Sequence, residues 1–306
     1  MNIKINYNNE DITNSIDLQS CVLTDRYGGL LDSIKLVIND AESQWSGKVN
    51  KGDEITIKTD GYMTGSMYVA KYEHREGRLT IDAISLKQSK KVIKSKIWWN
   101  VSLYEILNDC ARNAGLTLKM YGVVDYQYES LAQIRKTDLD FASMVCKREG
   151  YSIKVDDNSL IVFNEYYLES QETDLKITPN DVDENYYFVQ SSNCANNVTV
   201  SYYDCKKGLI EQTVIDDSIL GTSEIINEKV STYDEAKRFA YGYLRSLNKK
   251  CVIGYLSMPY NPKLSAGSVF YAEGFGEFDD KYVVIEVSHN VKKEISSFTV
   301  RKVLDY

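Results

Sequence analysis

The chain has 306 residues and a formal net charge of −8 at pH 7. Its hydrophobic content of 43% is enough to fill the cores of two or three domains, which excludes wholesale disorder. The negative charge excludes general affinity for nucleic-acid phosphates. There is no apolar run of about eighteen residues and no pattern of a signal peptide at the start. We therefore expect synthesis in the cytoplasm and no membrane insertion by this chain.

Residues 1–92 have the pattern of a small antiparallel β-barrel. Apolar and polar side chains alternate along 32–40, 53–59 and 77–86, and turn residues separate these segments. Alternation of this kind buries one face of each strand. We predict a first β-barrel domain over residues 1–92.

Helical spacing replaces alternation in the next region. The segment 101–118 places its apolar residues on one stripe, with Ser102 and Glu105 as a capping box and Gly115 as the stop. A second helix and short strands follow it. We predict an α+β middle domain with two helices over residues 93–166.

The second helix lies in a segment that is dense in reactive side chains. Thr137 or Asp138 caps its start, and Gly150 ends it. Acidic residues fall in its first turn and basic residues in its last, as the helix dipole favours, so a catalytic cluster converging on one face is not expected. The residues concerned are Arg135, Asp138, Asp140, Cys146, Lys147, Arg148 and Glu149.

A polar, acidic segment separates the middle domain from a second β region. We interpret residues 167–187 as a linker that carries one short strand near 175–177. Alternation returns in 188–306, which we predict to be a second β-barrel domain with one helix at 232–248. Thr232 and Glu235 form a capping box at the start of that helix.

The six cysteines form no recognised metal or redox pattern. They stand at 21, 110, 146, 194, 205 and 251, without a CxxC pair or a zinc spacing. We interpret them as reduced, mostly buried thiols. Motifs of phosphate loops, dinucleotide sites, metalloproteases and serine hydrolases are also missing. We predict no catalytic, cofactor-binding or metal-binding residues, no cofactor and no enzyme activity.

Several polar or aromatic residues leave an alternative open. Glu10 with Asp11 could form a glycosidase-like acid pair, although solvated turns explain such residues as well. The same holds for Glu277, Asp279 and Asp280. Trp98 and Trp99 could bind sugars, but we favour packing between the first barrel and the middle domain.

The two histidines lie in similar settings, 215 residues apart. His74 and His289 each end a predicted strand, and the same offset pairs Gly52 with Gly267, Gly61 with Gly276 and Val69 with Val284. A metal half-site or a general base at each histidine is one hypothesis. Since no second His or Cys lies nearby, we favour the other: the first and last domains are copies of one barrel.

The chain resembles the late-control D family of tailed phages, the central hub proteins of contractile-tail baseplates. The hub portion of type VI secretion spikes belongs to the same group. Four stretches carry the resemblance, and the chain departs from the pattern at Ala142, where the family often has Leu. They are "DSIKLVINDAESQW" with "KGDEITIK" and "TGSMYVAKYEH"; "IKSKIWWNVSLYEILNDCARNAGLTL"; Gln133, Arg135, Thr137–Phe141 and Gly150; and "YDEAKRFAYGYL" through "NPKLSAGSVFYAEGFGEFDDKYVVIEVSHNV".

The resemblance implies a structural role and a fold. The fold would be mainly β, with two related antiparallel, tail-tube-like β-barrels flanking a small α+β domain. The partners would be two further copies in a homotrimer, a spike protein, a tail-tube or tube-initiator protein and other baseplate proteins. The chain would end up in the baseplate of a virion or a phage-tail-like bacteriocin. DNA would pass through the channel without specific binding, or the channel would be closed or empty. The alternative is a module that binds or hydrolyses peptidoglycan or another cell-wall carbohydrate.

Overall fold

The computed structural model of the chain describes residues 2–28, 31–87 and 92–306. Its first unit is an antiparallel sheet in the order β3-β4-β8-β7-β5-β1-β2, with β6 beside β5. Its strands are β1 (Ile3–Tyr7), β2 (Glu10–Asp11), β3 (Asp17–Arg26), β4 (Ser33–Asn39), β5 (Glu54–Thr59), β6 (Tyr62–Met63), β7 (Met67–Arg75) and β8 (Arg78–Ile84).

The core of this unit follows from the alternation in the sequence. β4 buries Ile34, Leu36 and Ile38, and β5 buries Ile55 and Ile57. Each such side chain contributes about 1.5–3 kcal/mol through removal of apolar surface from water. Within the described residues no strand pairing leads from β1 or β2 back to β3, so closure of the barrel by hydrogen bonds is not observed.

The middle of the chain mixes strands and helices, as expected. β10 and β13 pair in parallel, β12 and β13 antiparallel, and β9 and β11 form a separate antiparallel ribbon. The elements are β9 (Lys94–Ser102), α1 (Leu103–Ala114), β10 (Thr117–Tyr121), β11 (Gln127–Lys136), α2 (Asp138–Arg148), β12 (Tyr151–Asp156), β13 (Ser159–Asn164) and α3 (Glu165–Glu169).

The helix caps read from the sequence are present in α1. Ser102 Oγ accepts from the Glu105 N–H at 3.2 Å, and Glu105 Oε2 accepts from the Ser102 N–H at 2.8 Å. Gly115 ends the helix at φ 73°, a left-handed conformation that suits glycine. In α2, Thr137 Oγ1 accepts from the Asp140 N–H at 3.2 Å, so Thr137 is the cap residue.

The remaining elements complete the middle core and build a second β unit. They are β14 (Lys176–Ile177), β15 (Tyr187–Gln190), β16 (Ala195–Asp204), β17 (Gly208–Ile215), β18 (Thr222–Asn227), α4 (Tyr233–Asn248), β19 (Val252–Pro259), β20 (Val269–Ala272), β21 (Asp280–Asn290) and β22 (Ile295–Lys302). No helix in the described residues combines the length and apolar composition that a membrane crossing needs.

Helix α4 packs in the middle of the molecule, not in the second barrel where we expected it. Its buried Phe239, Ala240 and Leu244 share one hydrophobic core with α1 and α2. The three-stranded sheet β17-β16-β18 contributes to that same core. The amphipathic pattern predicted that one face of α4 is buried, but it carries no information about which element covers that face. The capping box is also incomplete, because Glu235 Oε2 accepts from the Ser231 N–H.

The second β unit has a core of its own. Strands β15, β19, β22, β21 and β20 lie side by side, and β14 pairs in parallel with β20. Buried Phe270, Tyr282, Val284 and Phe298 lie in this core. β14 is the short strand expected in the linker. Mainly antiparallel β structure, with helices in the middle unit, confirms the expected fold class.

The cysteine prediction is wrong for one pair. Cys194 and Cys251 form a disulfide, with Cα atoms 5.7 Å apart. The sequence gave no sign of this because 57 positions separate them and only the tertiary fold brings them together. Cys21, Cys110 and Cys146 are buried free thiols as expected, whereas Cys205 is exposed. Burial raises the pKa of Cys21 to about 12.

Candidate assembly surfaces

Two copies of one strand arrangement lie at the two ends of the chain. Gly52 and Gly267 both have φ near +90°, and each donates its N–H at 2.8 Å to the carbonyl of Val69 or Val284. In the first copy Glu54 pairs with Tyr68. In the second, at the offset of 215 residues, Val269 pairs with Val283.

The copies also share an irregularity. The pairing of β7 with β8 shifts between Val69 and Lys71, and the pairing of β21 with β22 shifts between Val284 and Glu286. A β-bulge adds one unpaired residue and increases the local twist, so it is a specific structural feature. Its recurrence at the same offset supports the hypothesis that the two barrels are related copies.

The two copies are joined directly by hydrogen-bonded strands. Residues 286–290 of β21 pair antiparallel with residues 22–26 of β3, which makes one continuous sheet. Arg26 Nε contacts Glu286 Oε2 at 2.8 Å across this junction. Thr24 Oγ and Ser288 Oγ lie 3.0 Å apart. The relative position of the copies is therefore fixed by main-chain pairing.

A buried ion cluster ties the first copy to the middle unit. Lys154 on β12 contacts both Asp25 on β3 and Asp32 just before β4. Burial raises the pKa of Asp32 to about 7, even though the Lys154 charge lowers it. Burial lowers the pKa of Lys154, but Asp25 and Asp32 outweigh that effect and leave it raised.

A second buried cluster ties the middle unit to the last strand. Glu165 on α3 contacts Arg245 of α4 at 3.0 Å and Arg301 of β22 at 3.3 Å. Lys249 also binds Glu165, and Glu169 binds both arginines. Burial alone would raise the pKa of Glu165, but the three cations lower it to about 2. The sequence missed this cluster, since acidic residues beside a polar linker look solvated.

Two strands of the shared sheet keep one edge without a partner. Among the described residues, positions 71–75 of β7 pair with β8 on one side only, because β5 reaches no further than Met67 and Tyr68. Within the same described part, β15 pairs only with β19. Tyr72 is 40% exposed and Val189 47% exposed. Free edges of this kind are surfaces for strand addition.

The charged segment around α2 forms no convergent site. Asp140 lies in the first turn of α2, whereas Lys147 and Arg148 lie in its last. Glu149 binds Arg238 of α4 at 2.9 Å, and Arg148 binds Glu228 at 2.6 Å. Gln133, which carried part of the resemblance, is fully buried and donates to Asp138 Oδ1 at 3.1 Å. Arg135 has φ 47° at the irregularity between β11 and β9. These residues hold helices and turns together.

The two histidines occupy different environments. His289 is fully buried, between Ser296 Oγ at 2.8 Å and the Leu264 carbonyl at 3.1 Å, and burial lowers its pKa. His74 is exposed and lies 3.2 Å from the Asp40 carbonyl. In the described part of the chain no group of three His, Cys, Asp or Glu side chains has the arrangement of a metal site.

The tryptophans divide between core and surface. Trp98 is buried and stacks on Phe141 of α2, with ring centroids 6.2 Å apart. Trp99 is 66% exposed and lines a shallow groove with Tyr104 and Arg112. The expected packing role therefore holds for Trp98 and not for Trp99. The acidic groups at Glu10 and Glu277 lie in a short exposed strand and a short 3₁₀ turn, respectively.

Neither a protein-family model nor a curated protein matches the sequence. Solved structures do match. A 43 kDa tail protein of prophage MuSo2 from Shewanella oneidensis is 13% identical, with a TM-score of 0.76 over 98% of each chain. A tail protein from Neisseria meningitidis MC58 is 8% identical, with a TM-score of 0.77 over 98% of this chain and 96% of that one. The chain has the fold of these tail proteins.

A type VI secretion protein has a similar fold. It is an Escherichia coli component of that system, described as similar to the T4 bacteriophage tail proteins gp27 and gp5. It is 8% identical, with a TM-score of 0.63 over 95% of this chain and 74% of that one. Phage tails and type VI secretion are the two groups that the sequence resemblance named, so the expected fold relationship is confirmed.

Proposed function

We propose that the chain is the structural hub of a contractile phage tail or phage-tail-like particle, a trimeric adaptor between a central spike and the tail tube. The observation that carries this proposal is the duplication: one chain holds two equivalent strand arrangements in one continuous sheet. Three chains around a threefold axis would present six equivalent units. Such a ring would fit a threefold spike at one end and a sixfold tube at the other.

The domain organisation that we propose differs from the sequence division in one respect. Residues 1–92 form the first tube-like unit, and 93–166 begin the middle unit. The sheet β17-β16-β18 and α4 belong with the middle unit, because they share its core. Residues 167–187 and the strands from β19 onward then form the second tube-like unit, together with β15.

The remaining partners follow from the hub role. The chain would be made in the bacterial cytoplasm and incorporated into the baseplate, where further baseplate proteins contact its outer surface. DNA would pass through the channel without specific binding, in keeping with the net charge of −8. We assign the chain no catalytic residue and no cofactor.

The test is the mass in solution. Light scattering would be measured on the chain alone and on the chain co-expressed with the spike-like protein encoded beside it. We expect a particle with three copies of the 35.0 kDa chain, at least with the spike protein present. A chain that stays monomeric in both samples contradicts the hub proposal.

The exposed Trp99 supports a second candidate, a module that binds cell-wall carbohydrate. Its indole lines a groove with the polar side chains of Asn108, Asp109 and Arg112, an arrangement that suits stacking on a sugar ring. Saturable binding of the monomer to peptidoglycan that Trp99→Ala abolishes would favour this candidate. Release of muropeptides would favour an enzyme.

A further inference from the structure

The junction between the two copies has a counterpart that is left open. At the junction, residues 286–290 of β21 pair with β3. The offset of 215 residues takes this segment to residues 71–75 of β7, the segment whose outer edge has no strand beside it in the described part of the chain. The first copy therefore exposes the same edge that the second copy uses.

The strand that would fill this edge can be identified from the pairing. In the first copy one line of paired residues crosses four strands, and in the second copy the corresponding line starts in β15. The two lines are Leu23–Ile34–Ala83–Val69 and Phe188–Gly254–Val300–Val284. Both end at the residue that begins the bulge. β15 is thus the counterpart of β3, and Phe188 is the counterpart of Leu23.

Burial agrees with this correspondence. Where the junction is formed, Val287 and His289 of β21 are fully buried. Their counterparts in β7 are Tyr72, which is 40% exposed, and His74, which is exposed as well. On the other strand, Tyr187 is 53% exposed. The same positions are covered in one copy and uncovered in the other.

We propose that β7 of one chain pairs antiparallel with β15 of a second copy of this chain, in the register of the internal junction. His289 lies opposite Leu23, and Ser288 lies opposite Thr24. His74 then lies opposite the partner's Phe188, Glu73 opposite the partner's Val189, and Arg75 opposite the partner's Tyr187.

A second copy is the occupant because the chain already contains the finished form of this contact. The contact is head-to-tail, so each chain offers one β7 edge and one β15 edge, and a closed ring uses both. Closure also removes two edges that would otherwise recruit foreign strands. This inference rests on the proposed hub function and adds to it the strands and the register of the subunit interface.

The hydrogen-bond alternation identifies the residues that face the partner. The Ser191 N–H donates to the Cys251 carbonyl at 2.7 Å, so odd-numbered residues of β15 bond to β19. Phe188 and Gln190 consequently direct their amides to the free side. At the internal junction the Tyr27 N–H donates to the Ile285 carbonyl, which makes Thr24 and Ser288 a non-hydrogen-bonded pair. Glu73 and the partner's Val189 would be the same kind of pair, with Cα atoms about 4.5 Å apart.

Cysteine cross-linking tests the register in the full chain. Glu73→Cys and Val189→Cys are combined in a Cys205→Ser background, which removes the exposed thiol. The spacing of a non-hydrogen-bonded pair is within reach of a disulfide. After mild oxidation we expect covalent dimers and trimers on a non-reducing gel. The matched control combines Glu73→Cys with Gln190→Cys, whose side chain faces the other side of the sheet, and should cross-link at least about tenfold less.

A second pair of variants tests the main-chain contact. Gln190→Pro removes an N–H that faces the partner and leaves the bonds of β15 to β19 in place, so we expect loss of the trimer with a retained thermal unfolding transition. Gln190→Ala keeps the N–H and should assemble like the parent chain. Both are compared with the unmodified chain by light scattering, alone and with the spike-like protein.

The outcomes separate the two proposals. Selective cross-linking of the Glu73→Cys, Val189→Cys chain supports the register. A particle of three copies that cross-links equally in the control, or does not cross-link, overturns the strand pairing and leaves the hub function standing. A chain that assembles in neither sample overturns the hub function, and the strand pairing with it.

Discussion

The Ala266 N–H donates a hydrogen bond of 2.8 Å to Oδ2 of Asp25. Ala266 lies in the glycine turn of the second copy, and Asp25 lies on β3 of the first. The other oxygen of the same carboxylate binds Lys154 of the middle unit. One buried side chain therefore contacts all three parts of the molecule.

Replacement of Asp25 should loosen this joint. In Asp25→Ala the Lys154 ammonium keeps only Asp32 as a partner at 3.3 Å, and the Ala266 N–H loses its acceptor. Removal of one partner from a buried ion pair costs about 3–5 kcal/mol in the free energy of unfolding. Urea unfolding followed by tryptophan fluorescence measures this loss.

The control for that prediction lies on the same strand. Asp17 is exposed at the start of β3, so Asp17→Ala should change the free energy of unfolding by about 0.5 kcal/mol or less. Addition of Lys154→Met to Asp25→Ala removes the uncompensated charge and should recover part of the stability. If it recovers none, the ion pair is not the source of the loss.

Asp32 should make stability fall with rising pH. Its pKa is raised from 3.8 to about 7 by burial, so the folded state holds this proton more tightly than the unfolded chain. The associated stabilisation is complete below about pH 4 and is lost as the pH rises to 7. Asp32→Asn cannot lose a proton, and its side-chain oxygen can still accept from the Arg26 N–H.

The measurement is the thermal midpoint of both proteins from pH 4 to 8. We expect the midpoint of Asp32→Asn to gain on the wild type as the pH rises, by the equivalent of a few kcal/mol. The exposed Asp217→Asn is the control and should follow the wild-type curve. A constant difference between Asp32→Asn and the wild type across this range would contradict the prediction.

Local rules explain which parts of the fold could be predicted. The strand β4 and the caps of α1 and α2 depend on neighbours within a few residues, so the sequence determines them. The duplication was also visible, because Gly52 and Gly267 are needed where φ is near +90°. Their spacing marks the same turn twice.

The candidate surfaces depend on contacts between distant residues. Glu165 and Arg301 are 136 positions apart, and nothing near Glu165 in the sequence indicates that it is buried. The pairing of β21 with β3 has no local signal either, because an exposed edge and a joined edge have the same alternation. Only the correspondence between the copies shows which strand belongs beside β7.

Gly242 should not tolerate any side chain. It lies where α4 crosses the end of α2, and a Cβ atom there would come within 2.1 Å of the Arg148 carbonyl oxygen. Alanine favours a helix over glycine by about 1 kcal/mol, but the clash with main-chain atoms outweighs this gain. We expect Gly242→Ala to lower the free energy of unfolding by about 2 kcal/mol or more.

The matched variant is Gly47→Ala. A Cβ atom at Gly47 would have no other atom within 4 Å, and its φ is not in the left-handed region. Its stability should stay within about 1 kcal/mol of the wild type. Equal stability of the two variants in urea unfolding would mean that α2 and α4 are not in close contact.

Glu165 should act in the opposite pH range from Asp32. Its pKa is lowered from 4.5 to about 2, since the charges of Lys249, Arg301 and Arg245 outweigh the effect of burial. The stabilisation is therefore present above about pH 4.5 and is lost as the pH falls toward 2. Glu165→Gln leaves the three cations without that charge and should cost about 3–5 kcal/mol at pH 7.

Thermal midpoints of Glu165→Gln and the wild type, measured from pH 7 down to 2.5, check this prediction. The two curves should converge as the pH falls, because protonation of Glu165 removes the difference in charge between them. Glu172→Gln, at an exposed position, is the control and should remain close to the wild type throughout. A Glu165→Gln chain as stable as the wild type at pH 7 would show that the cluster does not hold α3, α4 and β22 together.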